Sequence, residues 1–331
     1  MNGSKKSYLY KLSSKILFIF LIINISFFAV KIKEIKLELI ELYFKKEYKY
    51  FCCYSGIMKK ENLYAREFVQ YYHELGVDQF FIGDNNDIGS EKLIDVLNDY
   101  VDKGIVQITN LMGKPKYRNF HRDFIKYSYK RHKSECNWFI IDDIDEFLAF
   151  TDKNMTIKTY LTNQVFDKCD VIKINWLIYS DNELINYDRR TMVERFTKPD
   201  YSNVHNIFIK SIVRGDILEP LWVLNANAHG PYRHKRICNS LGQKIRYSGC
   251  TLAPPIWNVS YIKHFRTKTA EEYAYKILRG YPHGTLKFER LIDVFFLDNK
   301  YSDEKLEVME KILNMTFEKY HKKKSNLKIN K

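Results

Sequence analysis

The 331-residue sequence has no P-loop, no G-x-G-x-x-G and no G-x-S-x-G. The first two absences remove the common glycine-rich phosphate cradles, and the third removes the nucleophile elbow of a serine hydrolase. Its six cysteines form no C-x-x-C, so they encode neither a cysteine zinc site nor a thioredoxin-like redox pair. Internal repeats and long low-complexity linkers are missing too. Acid is in short supply: 40 Asp and Glu face 54 Lys and Arg, a formal net charge of +14. That excess suits an anionic partner such as nucleotide phosphates or an acidic membrane surface. The basic residues are scattered, however. Their densest cluster, His321-Lys322-Lys323-Lys324, reads as a solvated tail, and no nucleic-acid-binding motif accompanies them, so no nucleic-acid partner is expected.

What is present is a globular composition, 45% apolar and 28% charged. Free buried thiols are the default for the cysteines, with Cys238–Cys250 and Cys136–Cys169 as the pairings open to an oxidising lumen. Near the amino terminus, Ile16 to Val30 is apolar except for Asn24 and Ser26, and Lys5, Lys6, Lys11 and Lys15 precede it. Extended through Ile32, it reaches the roughly 17 residues that a membrane-spanning helix needs at minimum. No clear small-x-small cleavage site follows, so an uncleaved single-pass anchor is expected over 16–32, in preference to a signal peptide or a surface-lying helix. Such an anchor fits a Golgi-type membrane in a eukaryote or the cytoplasmic face of the inner membrane in a bacterium. Around it the sequence divides into a short basic tail (1–15), a stem (33–49), a catalytic domain (50–295) and a carboxyl-terminal helix with a basic tail (296–331).

Apolar runs and helical spacing alternate from Tyr50 onward. Strands are expected at Tyr50 to Tyr54, Gln79 to Gly83, Ile105 to Thr109 and Asn137 to Ile141. Helices fall between them at Glu61 to Leu75, Glu91 to Val101 and Tyr117 to Lys133, the first closed by Gly76. This alternation predicts an α/β fold with a mostly parallel sheet flanked by helices. Past Phe147 the pattern loosens into a mixed second half, with strands at Asp170 to Tyr179 and His205 to Val213 and a helix from Thr269 ended by Gly280.

The chemistry concentrates where the fourth strand ends. Trp138-Phe139-Ile140-Ile141 runs into Asp142-Asp143-Ile144-Asp145-Glu146, placing carboxylates at the crevice where open α/β sheets bind ligands. Asp143 and Asp145 suit a hard divalent cation that also holds phosphate oxygens. Asp84 and Asn86, after the second strand, are placed to bond a ribose or base edge, or equally to form an Asx turn. His229 and His264 offer imidazoles from the second half, and Asp181, beyond the strand ending at Tyr179, offers a general base.

Longer motifs then come into register. Glu61-Asn62-x-Tyr64-x-Arg66-Glu67-Phe68, Tyr71-Tyr72-x-x-Leu75-Gly76-Val77-Asp78 and Phe81-Ile82-x-Asp84-Asn85-Asn86 resemble the amino-terminal signature of glycosyltransferase family 92. Trp138 with Asp143-Ile144-Asp145-Glu146-Phe147, then Lys210-Ser211-Ile212-Val213, Cys238-Asn239 and Tyr261-Ile262-x-His264-Phe265-x-Thr267-Lys268-Thr269-x-Glu271-Glu272-Tyr273 extend the likeness to Gly280. Two departures are visible: Lys59-Lys60-Glu61-Asn62 stands for the family's K-N-E, and Asp142 replaces an apolar residue.

The resemblance implies a GT-A fold and transfer of a sugar from a nucleotide-diphosphate donor to a glycan, glycolipid or glycoprotein. It implies Mn²⁺ or Mg²⁺ held by Asp143 and Asp145, with His264 first and His229 second as the completing imidazole. Donor contacts are then expected at Asp84, Asn86, Asp143 and Asp145, with Lys263 and Arg266 near the leaving group. The animal members of the family transfer galactose with inversion, and Asp181 is the candidate base for an inverting step. Two competing readings are a metal-dependent phosphohydrolase and a non-catalytic membrane-anchored binding protein of the same fold.

Overall fold

The computed structural model describes residues 31, 47–114, 120–215, 236–246, 249–280 and 287–321. The chain divides after Glu47 into two compact units, and the fold described here is that of the second. The expected anchor at 16–32 lies outside the described residues apart from Lys31. Among the described residues no helix is long and apolar enough to cross a membrane.

Four strands come first: β1 (Tyr50–Met58), β2 (Gln79–Asp84), β3 (Val106–Asn110) and β4 (Cys136–Ile141). Helices α1 (Asn62–Leu75), α2 (Leu93–Asp102) and α3 (Phe120–His132) connect them. The strands lie in the order β3-β2-β1-β4, every pair parallel, as short βαβ crossovers require. α1 shows why the register holds. Its buried residues Ala65, Phe68, Val69 and Tyr72 are three and four apart, and so form one apolar stripe facing the sheet. Gly76 ends the helix at φ 112°, a left-handed conformation that a Cβ would strain.

The second half extends the same sheet with mixed polarity. It contributes β5 (Glu146–Phe150), β6 (Val171–Ile178), β7 (Ile209–Arg214), β8 (Ile237–Asn239) and β9 (Ser260–His264). β7 is antiparallel to both β4 and β6, β9 runs parallel to β6, and β5 closes the order β4-β7-β6-β9-β5. β8 pairs with the start of β6. The helices here are α4 (Ile157–Leu161), α5 (Met192–Arg195), α6 (Ala270–Arg279), α7 (Phe288–Asp298) and α8 (Asp303–Leu313). The last three share a small core of their own, including Tyr273, Ile277, Leu291, Phe295, Leu306 and Met309. This is the α/β architecture that the strand–helix alternation implied: a parallel half joined to a mixed half in one sheet.

Three details differ from the sequence reading. The expected strand from His205 starts later, because Val204–Ile207 is a 3₁₀ turn that Asn203 caps, its Oδ1 accepting from His205 N at 3.0 Å. β5 and β9 were not legible as strands, since each is five residues long and they pair with one another across more than a hundred residues. The cysteines are not all free, and neither expected pairing forms. Cys53 bonds Cys136 and Cys169 bonds Cys238, while Cys52 and Cys250 are free. Adjacent strands explain both bonds: β1 lies beside β4 and β8 beside β6, bringing Cα atoms 83 and 69 residues apart in sequence to 6.0 and 5.8 Å.

Candidate active site

The carboxyl ends of β1, β2 and β4 stop at Met58, Asp84 and Ile141, on one edge of the sheet. β7 is antiparallel to β4, so its first residues, Ile209 and Lys210, enter at that same edge. The turn from β4 to β5 is closed by Glu146 N donating to Asp143 O at 3.0 Å. Its four acids are sent in different directions.

Asp142 turns into the core. The Tyr72 hydroxyl donates to its Oδ2 at 2.6 Å, and the Tyr54 hydroxyl donates to its carbonyl oxygen at 2.9 Å. Burial pushes its carboxyl up to about 7 against the pull of Lys210 and Tyr72. The residue that departs from the family pattern is thus accommodated by two core tyrosines. Asp143 faces out, its side chain 45% exposed, with Lys210 Nζ 2.6 Å from Oδ2 and His121 Nε2 3.7 Å from Oδ1. Burial opposes its ionisation, but Lys210 and His121 prevail and hold it below the usual carboxylate range.

Glu146 is fully buried, and the same ammonium reaches its Oε2 at 2.7 Å. Burial, reinforced by the neighbouring aspartates, outweighs Lys210 and lifts the Glu146 carboxyl well above its ordinary value. Asp145, also buried, meets Lys276 Nζ at 2.6 Å and Lys268 Nζ at 3.7 Å. These lysines overcome burial and keep Asp145 ionised. His264 lies opposite Glu146 across the β5–β9 pair. Its Nε2 is 3.8 Å from Asp145 Oδ1 and 3.7 Å from Glu146 Oε1. Burial drives this imidazole well below its usual value, so it is neutral. Its Nδ1 and Glu146 Oε1 have no hydrogen-bond partner among the described residues.

The structure therefore brings together Asp143, Asp145 and His264 of the expected set. His229 lies outside the described residues. Asp84 and Asn86 stand at the same sheet edge but spend their polar atoms on the chain itself. Asp84 accepts from Asn86 N at 3.0 Å and Leu93 N at 2.9 Å, and Asn86 bonds Lys60 N, Asn62 and the Glu91 carbonyl. Asp181 is buried against α8, with Oδ2 2.6 Å from Lys305 Nζ and Oδ1 accepting from Glu183 N at 2.8 Å. Lys263 lies over the Tyr179 ring and Arg266 forks onto Asp298, so neither is committed to the acidic turn.

The lysines are what sequence reasoning missed. Lys210 had a signal: it interrupts the buried apolar strand Ile209–Arg214 inside a motif already matched. Lys276 had none, since only the packing of α6 aims it at Asp145.

As placed, these residues do not fit a divalent ion. Among the described residues no three His, Cys, Asp or Glu side chains are arranged to hold a metal. Moreover, ammonium groups stand at 2.6 Å from both aspartates. An acidic turn flanked by fixed cations at a strand-end crevice is suited to holding an anionic ligand beside its lysines and presenting Asp143 as a hydrogen-bond acceptor to that ligand's hydroxyls.

The profile of glycosyltransferase family 92 matches residues 48–279, more than two thirds of the chain. The chain belongs to glycosyltransferase family 92. A glycosyltransferase family 92 protein of Oryza sativa subsp. japonica is 29% identical over 112 residues. That stretch spans 34% of this chain and 18% of the length of the relative. Among solved structures, S. aureus TarS 1-349 is 12% identical with a TM-score of 0.32, covering 80% of this family 92 chain and 71% of its own. TarS 1-349 in complex with UDP-GlcNAc is 11% identical with a TM-score of 0.34, covering 80% and 72%. Within the family 92 match lie Asp143, Asp145, Glu146, Lys210, His264, Lys268 and Lys276 of the cluster described above.

Proposed function

We propose that the chain transfers a sugar from a nucleotide-diphosphate donor to a hydroxyl of a glycan, glycolipid or glycoprotein. One observation carries the reading: the family's acidic motif lies at the strand-end crevice with Asp143 open to solvent and lysines fixed around it.

Transfer breaks the bond from the anomeric carbon to the diphosphate, and negative charge collects on the departing β-phosphate. Cations already held in position in a dry site stabilise that charge without reorganising during the reaction. Lys268 and Lys276 meet this requirement beside Asp145, and Arg279, paired with Glu61, adds a guanidinium near the end of β1. Lys210 holds Asp143 and Glu146 at once, which fixes the turn facing the donor. Galactose as the sugar and inversion as the stereochemistry follow the family resemblance. An inverting step needs a base within hydrogen-bond reach of the acceptor hydroxyl. The expected base, Asp181, is engaged by Lys305.

The test is release of free nucleotide from a panel of UDP- and GDP-sugars, run in parallel with Mn²⁺ and with EDTA. Saturable release from one sugar nucleotide in either condition supports the proposal, and the difference between conditions reports separately on the ion. Hydrolysis of simple phosphate esters without turnover of any sugar nucleotide would overturn it.

A further inference from the structure

An aromatic strip runs from the acidic turn to the surface. His264, 3.8 Å from Asp145, packs edge-on against Trp176 with centroids 4.3 Å apart. Trp176 contacts Phe208 at 5.2 Å, and its carbonyl oxygen accepts from Trp257 Nε1 at 2.8 Å. Trp257 in turn meets Tyr201 at 5.4 Å, and Tyr201 is 64% exposed. Exposed aromatics grouped with polar neighbours mark a binding surface more often than chance decoration.

The strip is built, not incidental. Buried Asn175 pins the segment carrying Trp257, donating to Leu252 O at 2.9 Å and accepting from Ile256 N at 3.1 Å. Buried Asn206 pins the segment carrying Tyr201, accepting from Ile178 N at 2.8 Å and donating to Asp200 O at 2.8 Å. Asn203 ties that segment to Asp298 at 2.9 Å. Three buried amides are thus spent on holding the exposed Tyr201 and the half-buried Trp257 still. Such preorganisation lowers the ordering cost of binding a ligand.

The chemistry of the surface favours one occupant. A pyranose ring presents a face of C–H groups, which flat aromatic side chains match. Continuity with Asp145 selects the sugar that is to be glycosylated. We propose that Trp257 and Tyr201, backed by Trp176, are the stacking platform for the acceptor's sugar ring. This assignment rests on the glycosyltransferase reading and adds the acceptor side to it.

Initial rates of transfer from UDP-galactose to a panel of neutral oligosaccharides test it, with galactose release to water measured when no acceptor is present. Tyr201→Ala is the variant least able to disturb folding, since that side chain is largely exposed. It and Trp257→Ala should each raise the acceptor KM about tenfold, a loss of about 1.4 kcal/mol. The KM for UDP-galactose and the rate of release to water should stay within twofold, and Trp257→Phe should restore most of the acceptor affinity. Unchanged acceptor KM in both alanine variants of an active enzyme would overturn the platform alone. No turnover of UDP-galactose by the unmodified chain, with transfer from no other sugar nucleotide, would overturn the functional reading and the platform with it.

Discussion

Lys210 Nζ stands 2.6 Å from Asp143 Oδ2, joining a fully buried ammonium to a half-exposed carboxylate across the β4–β7 pair. The same nitrogen reaches Glu146 at 2.7 Å, so a single cation ties Asp143 to Glu146 across the acidic turn. Lys210→Met should therefore destabilise the fold by about 3–5 kcal/mol, the usual cost of breaking a buried pair. The loss should grow with pH, because Glu146 escapes it by taking up a proton in acid. Urea denaturation at pH 5 and pH 8 checks this. A variant as stable as the parent at both values would show that Lys210 does not organise the turn.

Lys276 competes with any cation for Asp145, since its ammonium lies 2.6 Å from Oδ2. Lys276→Met should strengthen Mn²⁺ binding at least about tenfold by removing a like charge at close range. Free Mn²⁺ followed by electron paramagnetic resonance measures it. Equal affinity in parent and variant would place the ion elsewhere.

Asp181 distinguishes anchoring from catalysis. Its 2.6 Å pair with Lys305 joins the segment after β6 to α8, and both side chains are buried. Asp181→Asn should lower stability by about 3–5 kcal/mol and leave UDP affinity unchanged. Adding Lys305→Met should recover part of the loss, because the unpaired ammonium is then gone. Full stability with abolished transfer would instead make Asp181 the base.

Glu67 supplies a pH signature away from the site. Burial, against hydrogen bonds from Met192 N and Val193 N, raises its carboxyl from 4.5 to about 6. A raised carboxyl favours the protonated folded state, so its contribution is full below pH 4.5 and fades as pH rises through about 6. The difference amounts to about 2 kcal/mol. Glu67→Gln keeps an acceptor for Met192 N and should lack this fall, ending more stable than the parent above pH 6. Parallel stability curves for the two proteins would contradict it.

The parallel half of the fold was legible because each of its strands is a continuous apolar run bounded by helices of clear period. The acidic turn was legible for the same reason: four acids directly after Trp138-Phe139-Ile140-Ile141 cannot continue a buried strand. β5 and β9 were not, because their partners are remote in sequence. The roles of the motif residues were also hidden. Asp78 spends Oδ2 on Phe51 N and Cys52 N, and Glu272 is buried against Arg195, so much of the signature that revealed the family holds the fold together. Asp84 and Asn86 likewise proved to be joints between strand and helix, an outcome their residue types allowed from the start. Whether a carboxylate faces a ligand or a lysine depends on packing between distant elements, which spacing along one chain does not encode.

Calorimetric titration with UDP-galactose and the other sugar nucleotides, on the parent chain and on Asp143→Asn, tests the central claim most directly. Asp143 is the open carboxylate of the cluster, and in Asp143→Asn the buried Lys210 keeps its second partner, Glu146. The account predicts saturable binding of one sugar nucleotide to the parent and at least about tenfold weaker binding to the variant. Binding of none of them, or equal binding by both proteins, would contradict it.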